Sequence, residues 1–116
     1  MDTTPVSLQL QVDEHLALAR EHSAGRSAHT LYGGQGNALR QTLIALAAGR
    51  LLGEHESPGE ATLQVLRGTV RLHAGAESWV AGTGDLLLVP PTRHDVEAVE
   101  DAAVLLTVAL HGVPGT

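Results

Sequence analysis

Beyond residue 25, short apolar segments alternate with glycine- and proline-containing turns, and this pattern constrains the fold more than any other feature of the sequence. The turns lie at Gly33–Asn37, Pro58-Gly59, Gly68 and Pro90-Pro91. Turn residues that recur roughly every 8–12 positions are typical of short strands packed as a sandwich or small barrel. We therefore predict an all-β fold for this part of the chain. The predicted strands are Ser27–Tyr32, Leu39–Ala47, Leu51–Ser57, Thr62–Leu66, Thr69–Ala74, Ser78–Val80, Asp85–Val89, His94–Val99 and Ala103–Leu110.

Two structures are compatible with the N-terminal segment. Apolar residues at the even positions 6–12 alternate with polar ones, which predicts a strand followed by a helix over Glu14–Ser23. The alternative is one longer helix from Ser7 with an apolar face. That face would consist of Leu8, Val12, Leu16 and Ala19. His15 and His22, two helical turns apart, are expected on an exposed face.

The composition excludes several classes of function. Aromatic residues make up only 2% of the chain, so stacking platforms for single-stranded nucleic acid are not expected. The net charge is −6 and the seven basic residues, all arginine, are scattered, which leaves no phosphate-binding patch. Absence of cysteine excludes disulfides and thiolate metal sites. The N-terminus is too polar for a signal peptide and no run reaches the roughly 20 apolar residues of a spanning helix. We expect a soluble, cytoplasmic protein with no nucleic-acid or membrane partner.

One histidine stands between two predicted strands in the segment GRLLGEHESPGEATLQVLRG, which begins at Gly49 and ends at Gly68. With His55, these glycines match the first signature of the cupin family, G-x5-H-x-H-x3,4-E-x6-G. Ser57 occupies the position of the second histidine of that signature. Ala61 occupies the position of the glutamate. The segment therefore resembles the cupin signature in its scaffold positions and departs from it in two metal-binding positions.

A second segment, GDLLLVPPTRHDVE, is similar to the second cupin signature, G-x5-P-x-G-x2-H-x3-N. Gly84 and Pro90 match, and His94 is the matching histidine at a spacing one residue shorter than usual, whereas Thr92 replaces a glycine and the asparagine is absent. Because both signatures occur in order, the chain is identified as resembling a small, single-domain, RmlC-like cupin of an uncharacterised bacterial type.

The resemblance implies a jelly-roll barrel over residues 27–113, preceded by an N-terminal strand or helix segment over residues 1–26. It also implies a central pocket that holds a divalent metal, with zinc, nickel, iron or copper as candidates. Carried over residue by residue, only His55 and His94 remain as metal ligands. Each of them has an ordinary alternative as a histidine of the core or rim.

Strand alternation indicates which other side chains face the pocket. If His55 points inward, so do Ser57, Ala61 and Leu63. The carboxylates near either histidine then point outward, unless a bulge shifts the register. These carboxylates are Glu54, Glu56, Glu60, Asp95 and Glu97. Gln41, whose facing the sequence does not fix, is a further candidate for an oxygen ligand. Arg93 is a candidate for binding an acidic ligand at the barrel mouth, with a surface ion pair as its alternative.

Two runs, 86–89 and 102–110, are apolar on both strand faces. A second subunit that covers the outer face would explain this pattern, so we predict a homodimer. The alternative is that the N-terminal segment lies back over the sheet.

The function predicted from these features is binding or sensing of a small molecule, with His55 and His94 marking the pocket. A metal-dependent enzyme of the dioxygenase or isomerase type and a structural or interaction protein are the alternatives. Whether the chain is an enzyme is left open, and no catalytic residue is assigned.

Overall fold

The computed structural model of the chain describes residues 2–56 and 59–110, which contain one helix and eight strands. Helix α1 spans Leu8–Glu21. The strands are β1 (Arg26–Tyr32), β2 (Leu39–Leu46), β3 (Gly59–Arg67), β4 (Thr69–Ala74), β5 (Glu77–Gly82), β6 (Leu86–Leu88), β7 (Asp95–Ala98) and β8 (Ala102–Leu110).

The strands form two antiparallel sheets, a larger one in the order β1-β2-β8-β3-β6 and a smaller one in the order β5-β4-β7. Alternate side chains of both sheets form one aliphatic core. Its members include Ile44, Leu46, Leu63, Val65, Val70, Leu72, Val96, Ala98, Ala102 and Val104. The predicted all-β, jelly-roll type of sandwich with a short N-terminal helix is therefore confirmed.

The N-terminal segment is one continuous helix, so the alternative that begins at Ser7 is correct and the strand over 6–12 does not form. Ser7 is the N-cap, and its Oγ accepts a hydrogen bond from the Leu10 amide at 3.2 Å. The helix buries an apolar face against the outer side of the larger sheet. The helix contributes Val12, Leu16 and Ala19, and the sheet contributes Leu43, Ala45 and Ala103. In residues 2–56 and 59–110, no helix is long and apolar enough to cross a membrane.

His15 is not on an exposed face, contrary to the expectation from spacing. Because the helix begins at Leu8, position 15 falls on the side that faces the sheet, and only 9% of His15 is exposed. Its Nδ1 lies 2.6 Å from the Ser27 hydroxyl. Its ring stacks on that of His29, with 5.5 Å between the ring centroids.

The two apolar runs have different environments. In β8, Ala102 and Val104 face the core, while Ala103 lies under α1. The N-terminal segment therefore covers part of this outer face, as the alternative explanation expected. In β6, Leu87 packs against the core, but Leu86 and Leu88 are 60% and 76% exposed. Within one subunit the outer side of β6 is therefore exposed, and its cover by a second subunit stays a prediction.

The predicted strand Leu51–Ser57 is not a continuous strand. Leu51 and His55 form isolated bridges with Glu97 and His94. Between them, Gly53 has a φ of +115°, a conformation that interrupts regular strand pairing and favours glycine. Ser57, also predicted to line the pocket, lies outside the described residues.

Candidate functional site

His55 and His94, which lie 39 positions apart in sequence, are direct neighbours in the structure. Each backbone amide donates a hydrogen bond to the other residue's carbonyl, both at 2.9 Å. Residues paired in this way direct their side chains to the same face of the sheet. The ring centroids are accordingly 4.5 Å apart, with 65° between the ring planes.

The strand register sets the direction of the pair. Val96 and Ala98 of β7 face the core, so alternation directs His94 inward as well. His94 is only 3% exposed, whereas His55 is half-buried. The pair therefore lies at the end of the inter-sheet core, with one ring inside and the other toward the rim.

Both imidazoles are held in the same tautomer. The Nδ1 atom of His55 lies 2.6 Å from the Gly53 carbonyl oxygen, and that of His94 lies 2.8 Å from the Thr92 carbonyl oxygen. A carbonyl oxygen only accepts hydrogen bonds, so each Nδ1 must carry the proton. When such a ring is neutral, it presents the lone pair of Nε2, the atom that binds a metal ion or accepts a hydrogen bond from a ligand.

A cleft of about 560 Å³ is lined by residues next to the histidine pair in sequence, although neither His55 nor His94 itself lines it. Thr92, whose carbonyl orients His94, contributes to its wall, and so do Glu54, Glu77 and Arg93. The β4–β5 turn forms the opposite wall. Arg93 forms an ion pair with Glu54, and both side chains are 60% exposed. Arg93 is thus a surface ion-pair residue that also borders the cleft.

A family comparison agrees with this architecture. The model of the cupin domain family matches residues 42–110, which is more than half of the chain. The chain belongs to the cupin domain family. A search of curated proteins found no match.

Solved structures similar to this cupin support the same fold. A conserved protein of unknown function from Streptococcus pyogenes is 24% identical, with 95% of this chain and 90% of that chain covered and a TM-score of 0.71. A cupin superfamily protein from Desulfitobacterium hafniense is 17% identical, with 95% and 94% covered and the same TM-score. Salicylate 1,2-dioxygenase from Pseudoaminobacter salicylatoxidans is 19% identical, with a TM-score of 0.73, and the match covers 90% of this chain but 34% of that enzyme. At these identities the likeness concerns the fold alone.

Two other residues expected to line the pocket belong to β3 of this cupin. Leu63 is 1% exposed and is part of the aliphatic core. Ala61 is half-buried, two residues earlier on the same face. Ala61 occupies the position of the family glutamate, so this face carries a methyl group where the signature has a carboxylate.

Gln41 does not face the histidine pair. On β2, Ile44 and Leu46 face the core, so Gln41 lies on the opposite face with Leu43. Its Nε2 donates to the Thr107 hydroxyl at 3.2 Å. The hypothesis that Gln41 supplies an oxygen ligand is therefore wrong.

The carboxylates of β7 point away from the pair. Glu97 accepts a hydrogen bond from His73 Nε2 at 2.9 Å on the outer face of the smaller sheet. That hydrogen bond is the main reason that the pKa of Glu97 is lowered, and Arg71 at 3.6 Å adds to the effect. Asp95 also faces outward, and its Oδ1 accepts from the Gly53 amide at 2.8 Å.

Sequence reasoning missed one carboxylate on the wall of the cleft, that of Glu77. Glu77 pairs with Ala74 on β4 and shares a face with Ala81, a core residue. The pairing of β4 with β7 ends at His73 and Asp95, and Glu77 is exposed at the start of β5. Among the described residues, no group of three histidine, cysteine or acidic side chains is close enough to hold a metal ion.

Proposed function

We propose that this cupin binds a small molecule in a pocket marked by His55 and His94, through a divalent metal ion held weakly by their Nε2 atoms. The observation that carries the proposal is that both Nδ1 atoms are engaged by backbone carbonyls. Imidazoles oriented by a hydrogen bond at one nitrogen are typical of metal sites. The adjacent cleft of about 560 Å³ falls in the roughly 300–1,000 Å³ range of small-molecule pockets.

The donor set favours some metals over others. Two neutral imidazoles suit Zn²⁺, Ni²⁺ or Cu²⁺, while a carboxylate-assisted Fe²⁺ site needs an acidic ligand that the described residues do not bring to the pair. With two protein ligands, the remaining positions fall to water or to the small molecule itself. Such a metal would act as a Lewis acid that binds oxygen or nitrogen donors of a ligand.

Metal titration tests the proposal directly. Protein purified without an affinity tag is titrated calorimetrically with Zn²⁺ and Ni²⁺, and its metal content is measured after dialysis. We expect one ion per chain, with affinity reduced at least about tenfold in His55→Ala and in His94→Ala because each removes one of two ligands. His73→Ala is the matched control, since His73 lies on the outer face. Equal binding by wild type and both site variants would contradict the proposal.

A metal-dependent enzyme remains the second candidate, because the carboxylate of Glu77 lies on the wall of the same cleft that Thr92 and Arg93 line. A carboxylate on this wall can contact a substrate bound in the cleft without coordinating the metal. The two candidates differ in what Glu77→Gln changes. Loss of turnover at unchanged metal affinity would favour the enzyme, whereas ligand binding without turnover favours the binding protein.

We also propose that the protein is a homodimer. The exposed Leu86 and Leu88 of β6 support this proposal, because they lie at the edge of the larger sheet beyond the area that α1 covers.

A further inference from the structure

The segment that carries His55 contains one more residue than its partner strand. Leu51 pairs with Glu97, and His55 pairs with His94. The chain advances four residues from Leu51 to His55 but only three between their partners. Such an extra residue is a β-bulge, and it reverses the side-chain alternation beyond it. Gly53, with its φ of +115°, lies inside this interval.

The bulge decides which way His55 points. Leu51 shares the outer face with its partner Glu97 and is 53% exposed. Under strict alternation, residue 55 would share that outer face, and Glu54 would point into the pocket instead. Because the extra residue is absorbed near Gly53, His55 turns inward beside His94.

Asp95 holds this bulge from the outer face. Its Oδ1 accepts hydrogen bonds from the Gly53 amide at 2.8 Å and from the Val96 amide at 2.7 Å. The carbonyl of the same glycine accepts from His55 Nδ1 at 2.6 Å. Asp95 therefore holds Gly53 in place, and the Gly53 carbonyl in turn selects the tautomer of His55.

We propose that Asp95 is a positioning residue for the histidine pair, which acts on His55 through the Gly53 bulge. Asp95 points away from the pocket and contacts no ligand there, so its effect is indirect. The role for metal affinity rests on the proposed function, whereas the role in the tautomer of His55 does not.

The test compares Asp95→Ala with Asp95→Asn, because asparagine keeps an oxygen that accepts from the Gly53 amide. In ¹⁵N long-range NMR of the imidazole nitrogens, we expect the Nδ1–H tautomer of His55 in the wild type and in Asp95→Asn. Asp95→Ala should give a mixture of tautomers. Glu97→Ala is the matched control, since it removes an outward carboxylate of the same strand that does not touch the bulge.

Zn²⁺ titration of the same four proteins measures the consequence. We expect Asp95→Ala to weaken binding by on the order of 10–100-fold, the usual cost of losing a group that orients a metal ligand. Asp95→Asn and Glu97→Ala should stay within about threefold of wild type. If no protein binds Zn²⁺ but Asp95→Ala still loses the His55 tautomer, the proposed function fails and the positioning role stands.

A second variant keeps the test decisive if Asp95→Ala does not fold. A Cβ at Gly53 would meet only Arg26 Nη1, at 3.9 Å, so Gly53→Ala strains the φ angle without a steric clash. It should produce the same mixture of tautomers at His55. The proposal is overturned if Asp95→Ala and Gly53→Ala, or whichever of them folds, keep the Nδ1–H tautomer of His55. It is also overturned if Asp95→Asn loses this tautomer as completely as Asp95→Ala.

Discussion

At the level of single residues, the glycines that match the two signatures are needed because the backbone has a positive φ angle at these positions. Gly49, Gly68 and Gly84 have φ angles of +81°, +82° and +92°, a region that other residues rarely adopt. The sequence match could therefore predict the turns even though the metal-binding positions had changed. The bulge at Gly53 was not predictable, because the segment between Leu51 and His55 is too short for a reversal of the two-residue alternation to be recognised.

Gly68→Ala should destabilise the fold more than Gly84→Ala. A Cβ at Gly68 would lie 2.2 Å from the Asp101 carbonyl oxygen, while one at Gly84 meets no atom within 4 Å. Gly84→Ala then costs only the left-handed conformation, about 1–2 kcal/mol. Gly68→Ala adds a backbone displacement, and we expect a total of about 3 kcal/mol or more. Urea unfolding of both variants measures the difference, and equal losses would contradict the prediction.

Among the secondary-structure elements, the packing of the N-terminal segment on the larger sheet, and not the periodicity of its apolar residues, determines whether it is a helix or a strand. Residues 6–12 fit a strand or a helix equally well, and the helix forms because its apolar face packs on the outer side of the larger sheet. Because this is a tertiary contact, the local sequence alone could not distinguish the helix from the strand. The same contact buries His15, which the helical spacing alone had placed outside.

Asp101 links α1 to the larger sheet and should make stability depend on acid pH. It accepts from the Ala48 amide at 2.8 Å and from Arg20 Nε at 2.7 Å. These two hydrogen bonds, the first being the stronger influence, lower the pKa of Asp101 below its ordinary value of 3.8. A lowered folded-state pKa stabilises the protein above about pH 4, and this contribution is lost as the pH falls through the folded-state value.

Asp101→Asn isolates this contribution, because the amide still accepts from Ala48 but loses the charge that pairs with Arg20. Allowing for partial exposure, we expect a loss of about 1 kcal/mol in the free energy of unfolding at pH 7. The difference from wild type should shrink steadily below about pH 4. Glu14→Gln, at an exposed carboxylate of the same helix, is the control. A difference that is unchanged at pH 2.5 would contradict the assignment.

At the scale of the whole molecule, α1 divides the outer face of the larger sheet into a covered and an uncovered part. On the uncovered side, Leu86 pairs with Gln64 and Leu88 with Thr62, so the centre of this patch is uncharged, and Glu60 lies at its end on the same face of β3. In a chain of net charge −6, an uncharged patch is the surface on which two copies meet with the least repulsion. The apolar runs of the sequence led us to predict a homodimer, and the exposed patch on β3 and β6 is the interface that we propose for it.

Light scattering coupled to size exclusion tests the homodimer. We expect a mass near twice the 12.1 kDa of one chain at micromolar concentration. The double variant Leu86→Gln/Leu88→Gln should be monomeric, because it places two polar amides at the centre of the patch where apolar contact would drive association. Val80→Gln, at a 57% exposed site on the other sheet, should remain dimeric. A monomeric wild type would contradict the proposed homodimer. A double variant that stays dimeric would show that the interface lies elsewhere on the surface.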